Sequence, residues 1–183
     1  MRRLTPLILI VALTVLAGCG SSSGDSTSAT ETTTSGDGAL TRAEFITRAD
    51  ALCAASKAKQ APLRSKVEAA ARRARKEEAR SGGNVSDDTR AELAEALRGI
   101  VAMAEAGLSR VQELGAPETD ADQLEAIYQQ TESAFQSSRA YGAALEEHED
   151  ARAQKLAEAG NAKTRETATL ARRYGFRVCG SQP

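Results

Sequence analysis

From Leu40 onward the chain consists almost entirely of strong helix formers, and this continuity limits the folds open to it. Ala, Glu, Arg, Leu, Lys and Gln dominate, and these residue types favour helices. Only Pro62 and Pro117 interrupt residues 40–180, and no segment shows the alternating, β-branched pattern of a strand. The sequence therefore predicts one all-α domain over residues 40–180.

The first helix is predicted to begin after Thr41, because Thr41 and Glu44 have the spacing of a capping box, and to end by Ser81-Gly82-Gly83. Pro62 removes one backbone hydrogen bond from its middle. The apolar positions stay in phase on both sides of Pro62, which favours a kink over a break. These positions are Phe45, Ala49, Leu52, Ser56, Leu63, Val67, Ala70 and Ala74.

The second helix is predicted to begin near Ser86, a good N-cap residue. Leu114-Gly115-Ala116-Pro117 then combines a helix stop with a proline suited to the first turn of the next helix. The apolar positions between these points are Leu93, Leu97, Ile100, Ala104, Leu108 and Val111.

The third helix is predicted over about residues 118–159 and the fourth over about residues 162–174. Gly160-Asn161 between them has the composition of a helix stop, although the apolar stripe of the third helix fades after Leu145. Gly175 is a natural residue to end the fourth helix. Four amphipathic helices with short connections imply an up-and-down bundle with a kinked first helix.

Residues 1–18 have the pattern of an export signal. Two arginines precede an apolar run of about 12 residues, shorter than the roughly 20 that a spanning helix needs. The run ends in Leu16-Ala17-Gly18-Cys19, which resembles the lipobox of bacterial lipoproteins, where diacylglycerol is joined to the cysteine sulfur. The resemblance implies removal of residues 1–18 and a lipid anchor on Cys19 at the extracytoplasmic face of the cell membrane.

The segment after Cys19 is predicted to be a disordered tether. Residues 20–38 are almost wholly Gly, Ser, Thr, Asp, Glu and Ala, which leaves too little apolar surface to offset the entropy of ordering. With Cys19, residues 19–39 then form a lipidated linker whose mean reach is roughly 25 Å.

Cys53 and Cys179 are the two cysteines that remain after lipidation. Export places them in an oxidising compartment, and a bridge between them would close a loop of about 126 residues and stabilise the fold by about 5 kcal/mol. A thiol redox site would require Cys-x-x-Cys, and a structural zinc site would require four ligands. With neither pattern in the sequence, a structural disulfide is favoured.

Two motifs bracket the helical domain, Ala49-Asp50-Ala51-Leu52-Cys53 and Tyr174-Gly175-Phe176-Arg177-Val178-Cys179-Gly180. In both, the chain resembles alanine-rich helical lipoproteins of actinobacteria, which often carry a cysteine after Ala-Asp-Ala and end in a Tyr-Gly…Val-Cys-Gly tail. The resemblance implies an exported helical domain stapled by a disulfide, and it implies no activity.

The sequence lacks the motifs of the common catalytic sites. It has no nucleophile elbow, phosphate loop or metalloprotease helix. Its one histidine, His148, lies in an acidic run, but no carboxylate is one helical turn away, where the residues are Ala144, Leu145, Ala151 and Arg152. This pattern favours a solvated acidic face over weak divalent-metal association. We expect no enzyme activity, no cofactor and no resident metal.

Charge is unevenly distributed along the domain. Residues 41–80 hold 11 basic and 5 acidic residues, whereas residues 81–183 hold 11 basic and 17 acidic residues. Arg72, Lys76 and Arg80 share one stripe of the first helix. The simpler interpretation is that the basic helix packs beside the acidic third helix. The sharper interpretation is that this basic stripe contacts anionic lipid or cell-wall polymer. A nucleic-acid partner is not expected.

Two functions follow from these features. The favoured one is a non-catalytic interaction module that binds an envelope protein, a wall polymer or the membrane surface. The alternative is a small-ligand or metal binder in the bundle interior. A filled core would favour the module, whereas an enclosed pocket lined by interior polar groups would favour the binder. The candidate groups are Ser56, Thr131, Ser138, Tyr128 and Tyr141.

Overall fold

A computed structural model describes residues 39–181, which form four α-helices and one short 3₁₀ turn. No strand occurs within this range. Each helix packs against the next, and the short connections make neighbours antiparallel, so the expected all-α bundle is confirmed. The predicted signal peptide, the lipobox with Cys19 and the tether up to residue 38 lie outside the described residues. The helices are α1 (Arg42–Ser81), α2 (Asp87–Gln112), α3 (Ala121–Glu146) and α4 (Asp150–Tyr174), with the 3₁₀ turn at Glu118–Asp120.

The helix starts are capped by the side chains that the sequence indicated. The Thr41 hydroxyl accepts a hydrogen bond from the Glu44 backbone, and the Glu44 carboxylate accepts one from the Thr41 backbone, which completes the capping box. Ser86 caps α2 by accepting from the backbone of Thr89. α1 continues through Pro62 without a break, while the kink expected there stays a prediction.

The chain turns between α3 and α4 at His148, not at Gly160-Asn161 as the sequence predicted. The N–H groups of His148 and Glu149 donate to the carbonyl oxygens of Leu145 and Ala144, at 3.3 Å and 2.9 Å. His148 has a φ of 58°, in the left-handed region. These bonds form a Schellman motif, which normally uses glycine at this position.

Gly160 lies inside α4 and faces α3. A Cβ at Gly160 would lie 3.6 Å from the Cβ of Ser137 on α3, an ordinary van der Waals distance. The glycine therefore lies within a helix instead of ending one. Arg152, in the first turn of α4, is exposed and pairs with Glu149 at 2.5 Å.

The buried apolar residues form two clusters at opposite ends of the bundle. The aromatic cluster contains three rings whose centroids are 4.9–6.3 Å apart, those of Phe45, Tyr174 and Phe176. The two sets are the aromatic cluster of Phe45, Ala49, Val111, Leu124, Ile127, Tyr128, Ala171, Tyr174 and Phe176, and the alanine cluster of Ala70, Leu93, Ala144, Leu145 and Ala153.

A buried ion pair joins the first turns of α2 and α4. The guanidinium of Arg90 donates to both carboxylate oxygens of Asp150, the longer bond measuring 3.1 Å. The Arg90 side chain is 7% exposed, whereas that of Asp150 is 62% exposed. The pair therefore brings a cation into the alanine end of the bundle while its partner faces solvent.

Candidate functional site

The structure joins Cys53 of α1 to Cys179, which follows α4. The two residues form a disulfide with a Cα–Cα distance of 5.3 Å, so the expected bridge is confirmed. It ties residues 175–181, here called the C-terminal tail, to the first helix.

Asp50 holds the C-terminal tail one turn before the disulfide. Its carboxylate accepts backbone hydrogen bonds from Arg177 at 2.8 Å and from Val178 and Cys179 at 2.9 Å. Hydrogen bonds to an ionised acceptor are stronger than those between neutral groups. The two motifs that bracket the domain in the sequence are thus in direct contact, which gives a physical reason why the two occur together in one chain.

Lys57 attaches the tail from the next turn of α1. Its ammonium donates to the carbonyl oxygens of Val178 at 2.8 Å and Ser181 at 2.7 Å. Burial lowers the pKa of Lys57, and the charge of Arg64 acts in the same direction, while Asp50 opposes both. Two cations therefore approach each other on this part of α1.

A cavity of about 230 Å³, partly open to solvent, lies beside the aromatic cluster, towards the middle of the bundle. All four helices and the C-terminal tail line it, and most of its walls are apolar. The apolar walls include Leu108 of α2, Ile127 and Phe135 of α3, Ala171 of α4 and Phe176 of the tail.

The interior polar groups proposed from the sequence fall in different places. Ser56, Tyr128 and Thr131 line this cavity. Ser138 lines an adjoining depression of about 200 Å³ that shares Thr131 with the cavity, and Tyr141 packs against the alanine cluster. The structure therefore brings three of the five candidates to one site.

Tyr128 carries a buried hydroxyl group in the wall of the cavity. The residue is 9% exposed, and its hydroxyl finds no hydrogen-bond partner among residues 39–181. Burial raises the pKa of Tyr128 to about 12, with a smaller effect from the charge of Glu125. A buried polar group without a partner costs about 1–3 kcal/mol.

A chain of hydrogen bonds runs along the cavity from α1 to α2. Arg64 donates to the side-chain oxygen of Gln60 at 3.0 Å, Gln60 donates to the hydroxyl of Ser56 at 3.1 Å, and Ser56 donates to the carbonyl of Met103 at 3.3 Å. Sequence reasoning missed Gln60 and Arg64. The apolar stripe has a gap of nearly two turns between Ser56 and Leu63, and Gln60 fills it. This gap was the signal from which the buried position of Gln60 could have been predicted.

The lining of the cavity carries positive charge without acidic partners. Lys57 and Arg64 line it, and no Asp or Glu does so within the described part of the chain. Glu68, one turn beyond Arg64, pairs instead with Arg72 at 3.6 Å. Burial lowers the pKa of Arg64. The site therefore combines apolar walls with a half-buried guanidinium that no carboxylate of residues 39–181 neutralises.

Two further depressions, of about 300 and 270 Å³, lie between α2 and α3. The first is crossed by ion pairs between Arg98 and Glu146 and between Arg139 and Glu105. Since their charged side chains are already paired with each other, these grooves offer a ligand fewer free charged groups than the interior cavity does.

The basic stripe of Arg72, Lys76 and Arg80 is exposed. The expectation that this half of the first helix would lie beside the acidic third helix is wrong. It packs on α2, where Arg73 pairs with Glu92. The charge counts identified complementary segments but did not identify which helix is the neighbour.

His148 lies in the α3–α4 turn instead of on a helix face. Its side chain is 55% exposed, and its Nδ1 atom is 3.7 Å from a carboxylate oxygen of Asp87. Among residues 39–181, no three His, Cys, Asp or Glu side chains are arranged to hold a metal ion together.

The helices of the bundle are amphipathic rather than apolar on every face. In the part of the chain that the structure describes, none is both long enough and apolar enough to cross a membrane. No protein-family model, curated protein or solved structure matches the chain.

Proposed function

We propose that this chain is a lipid-anchored lipoprotein of the cell envelope whose helical domain binds a small, largely apolar ligand without catalysis. The observation that carries the proposal is the cavity of about 230 Å³ lined by all four helices and the tail. Ligand sites are typically concave, mostly apolar and supplied with a few polar groups, and they often lie between the helices of bundles. This cavity has that composition and that position.

The cavity favours ligand binding over the interaction module that the sequence first suggested. A filled interior would have left only the outer surface for function. Here the interior has space, and Ser56, Tyr128 and Thr131 lie around it. The tail closes part of the cavity through Phe176 and Cys179, and the disulfide holds it there.

Binding by the mature, unlipidated chain (residues 20–183), exported so that its disulfide forms, tests the proposal. The probe is the small neutral dye 1-aminonaphthalene, whose fluorescence changes in apolar surroundings. We expect saturable binding at one site. Ala104→Leu, which extends a side chain into the cavity wall, should weaken it at least fivefold, while Ala106→Leu on the exposed side of α2 should not. A signal that never saturates, or equal binding by both variants, would contradict the proposal.

The lipid anchor is proposed from Leu16-Ala17-Gly18-Cys19. Metabolic labelling with a tagged fatty acid should mark the wild-type chain and leave Cys19→Ala unlabelled. Membrane fractionation alone is a weaker test, because an uncut signal would also retain the variant. Equal label on both chains would rule out Cys19 as the lipid site.

A second function, contact with an anionic surface, is supported by the exposed basic stripe. Arg72, Lys76 and Arg80 lie on the outside of α1, away from the cavity. Lipid on Cys19 would keep this face close to the membrane, where each near-surface cation contributes about 1 kcal/mol of attraction to anionic lipid. The two functions use different faces of the domain and are compatible.

A further inference from the structure

We propose that the ligand of the interior cavity is a small anionic amphiphile, with one carboxylate or phosphate head group bound at Arg64 and an apolar body of roughly ten carbon atoms inside the bundle. This inference rests on the proposed ligand-binding function and adds the chemical class of the ligand.

The sign of the charge follows from the lining. Two cations, Lys57 and Arg64, border a mostly apolar space that no carboxylate of residues 39–181 lines. Their mutual repulsion and their burial both act against the charged forms. An anion between the helices would offset both effects, whereas a cationic ligand would increase them.

Arg64 is the group best placed to bind the head group directly. A guanidinium has five N–H donors, and among residues 39–181 Arg64 uses one contact, to Gln60 at 3.0 Å. Gln60 is itself held by Ser56, so the guanidinium is oriented while most of its donors stay available. Its planar fork suits two parallel bonds to a carboxylate or phosphate.

Lys57 plays a different part, because its ammonium already binds the tail. Its hydrogen bonds go to the carbonyl oxygens of Val178 and Ser181, which are neutral acceptors, and only the charge of Asp50 offsets its own. Lys57 therefore adds positive potential to the cavity without direct contact with the head group.

The size of the apolar body follows from the volume. A dry apolar cavity of about 150 Å³ accommodates benzene, with six carbons. The cavity here, about 230 Å³, has room in proportion for roughly nine or ten carbons. The walls beside Ile127, Phe135 and Phe176 would cover a single chain of that length.

The test uses competition against the neutral dye already described, on the same unlipidated chain. The competitors are decanoate, decyl phosphate and the uncharged 1-decanol, which share one chain length. We expect decanoate or decyl phosphate to displace the dye at least tenfold more tightly than decanol. The relative strength of the two anions distinguishes a carboxylate ligand from a phosphate ligand.

Variants of Arg64 then assign the selectivity. Arg64→Gln should lower the affinity for the anions about tenfold more than the affinity for decanol and the dye, and Arg64→Lys should keep part of the preference. Arg75→Gln, on the exposed surface of α1, is the matched control and should behave as the wild type. If the dye binds but the anions and decanol compete equally, the anionic class is wrong and the ligand-binding function stands. If the dye itself does not bind, both are overturned.

Discussion

The two ends of the bundle are built differently. The end that carries the disulfide buries Phe45, Tyr174 and Phe176, and each of these residues is at most 4% exposed. At the opposite end, three of the five cluster residues are alanines. Aromatic side chains bury about 150–250 Å² each, so the aromatic end contributes much more apolar burial per residue.

The difference shows how a helical domain with few large side chains distributes its stability. Alanine lets helices approach closely but buries little area. The aromatic end combines its rings with the disulfide and with the hydrogen bonds of Asp50 to the tail. The cavity adjoins this end, so the most strongly held part of the domain surrounds the proposed site.

Removal of the disulfide should have the largest effect on stability. In Cys53→Ser/Cys179→Ser, the unfolded chain regains the freedom of a loop of about 126 residues, and we expect the free energy of unfolding to fall by about 5 kcal/mol. Guanidinium denaturation measures this loss. Hydrogen exchange should accelerate first in the tail and the end of α4. An unchanged denaturation midpoint would show that the bridge contributes nothing to the aromatic end.

Matched truncations at the two ends compare them directly. Phe45→Ala should cost about 4 kcal/mol and Leu93→Ala about 2–3 kcal/mol, since the ring removes more buried surface and leaves a larger cavity. Both residues are buried, at 0% and 7% exposure. Urea denaturation of the two variants gives the difference. Equal losses would mean that the ends are equally stabilising.

The alanine end should be the more sensitive to acid through the Arg90–Asp150 pair. The hydrogen bond from Arg90, aided by its charge, lowers the pKa of Asp150 below its usual value. A carboxylate whose pKa is lower in the folded state adds stability above its unfolded pKa and loses it as the pH falls through the folded one.

Asp150→Asn should therefore lower the free energy of unfolding at pH 7 by about 0.5–1 kcal/mol, a small value because Asp150 faces solvent. The gap between variant and wild type should close as the pH is lowered below the pKa of Asp150 in the folded state. Glu95→Gln, at an exposed position on α2, is the control. A gap that persists unchanged in acid would mean that the carboxylate charge is not the cause.

The smallest effect is expected for the basic stripe at the alanine end. Replacing Arg72, Lys76 and Arg80 by Ala should weaken binding to vesicles that contain anionic lipid and leave stability nearly unchanged. Screening acts over about 8 Å at physiological salt, so the difference should be clearest at low salt. Vesicle sedimentation measures it.

A control variant and a second vesicle type complete this test. Equal binding to anionic and neutral vesicles would show that the stripe only solvates the helix. The control variant replaces three exposed arginines elsewhere by Ala, namely Arg110, Arg165 and Arg173. An equal loss of vesicle binding in this variant would also show that the stripe only solvates the helix.

Features that depend on a few neighbouring residues were predictable from the sequence. Thr41 and Ser86 cap helices because their side chains reach backbone donors two or three residues away. The pairing of Cys53 with Cys179 followed from the predicted export signal and from the small number of cysteines. The helical character of the whole domain followed from composition and period, which require no knowledge of neighbours in space.

The end of α3 was not predictable in this way, because the local preferences of the residues favoured a different position for the turn. Gly160 costs roughly 1 kcal/mol in a helix, and a non-glycine residue at positive φ is uncommon, so local preference alone placed the break at Gly160. In the folded chain, α4 runs through Gly160 and packs along α3, and the turn forms at His148 instead. Packing between helices outweighed the propensity of single residues.

By itself, the sequence determined the class of the fold, the caps and the disulfide, because each depends on local chemistry or on counting. Only the tertiary structure decided that the interior contains a cavity and that Arg64 lies on its wall. Helical periodicity assigns a residue to a face, but it does not specify how closely the opposite faces approach. Space between helices depends on side chains from all four of them, and those meet only when the chain is folded.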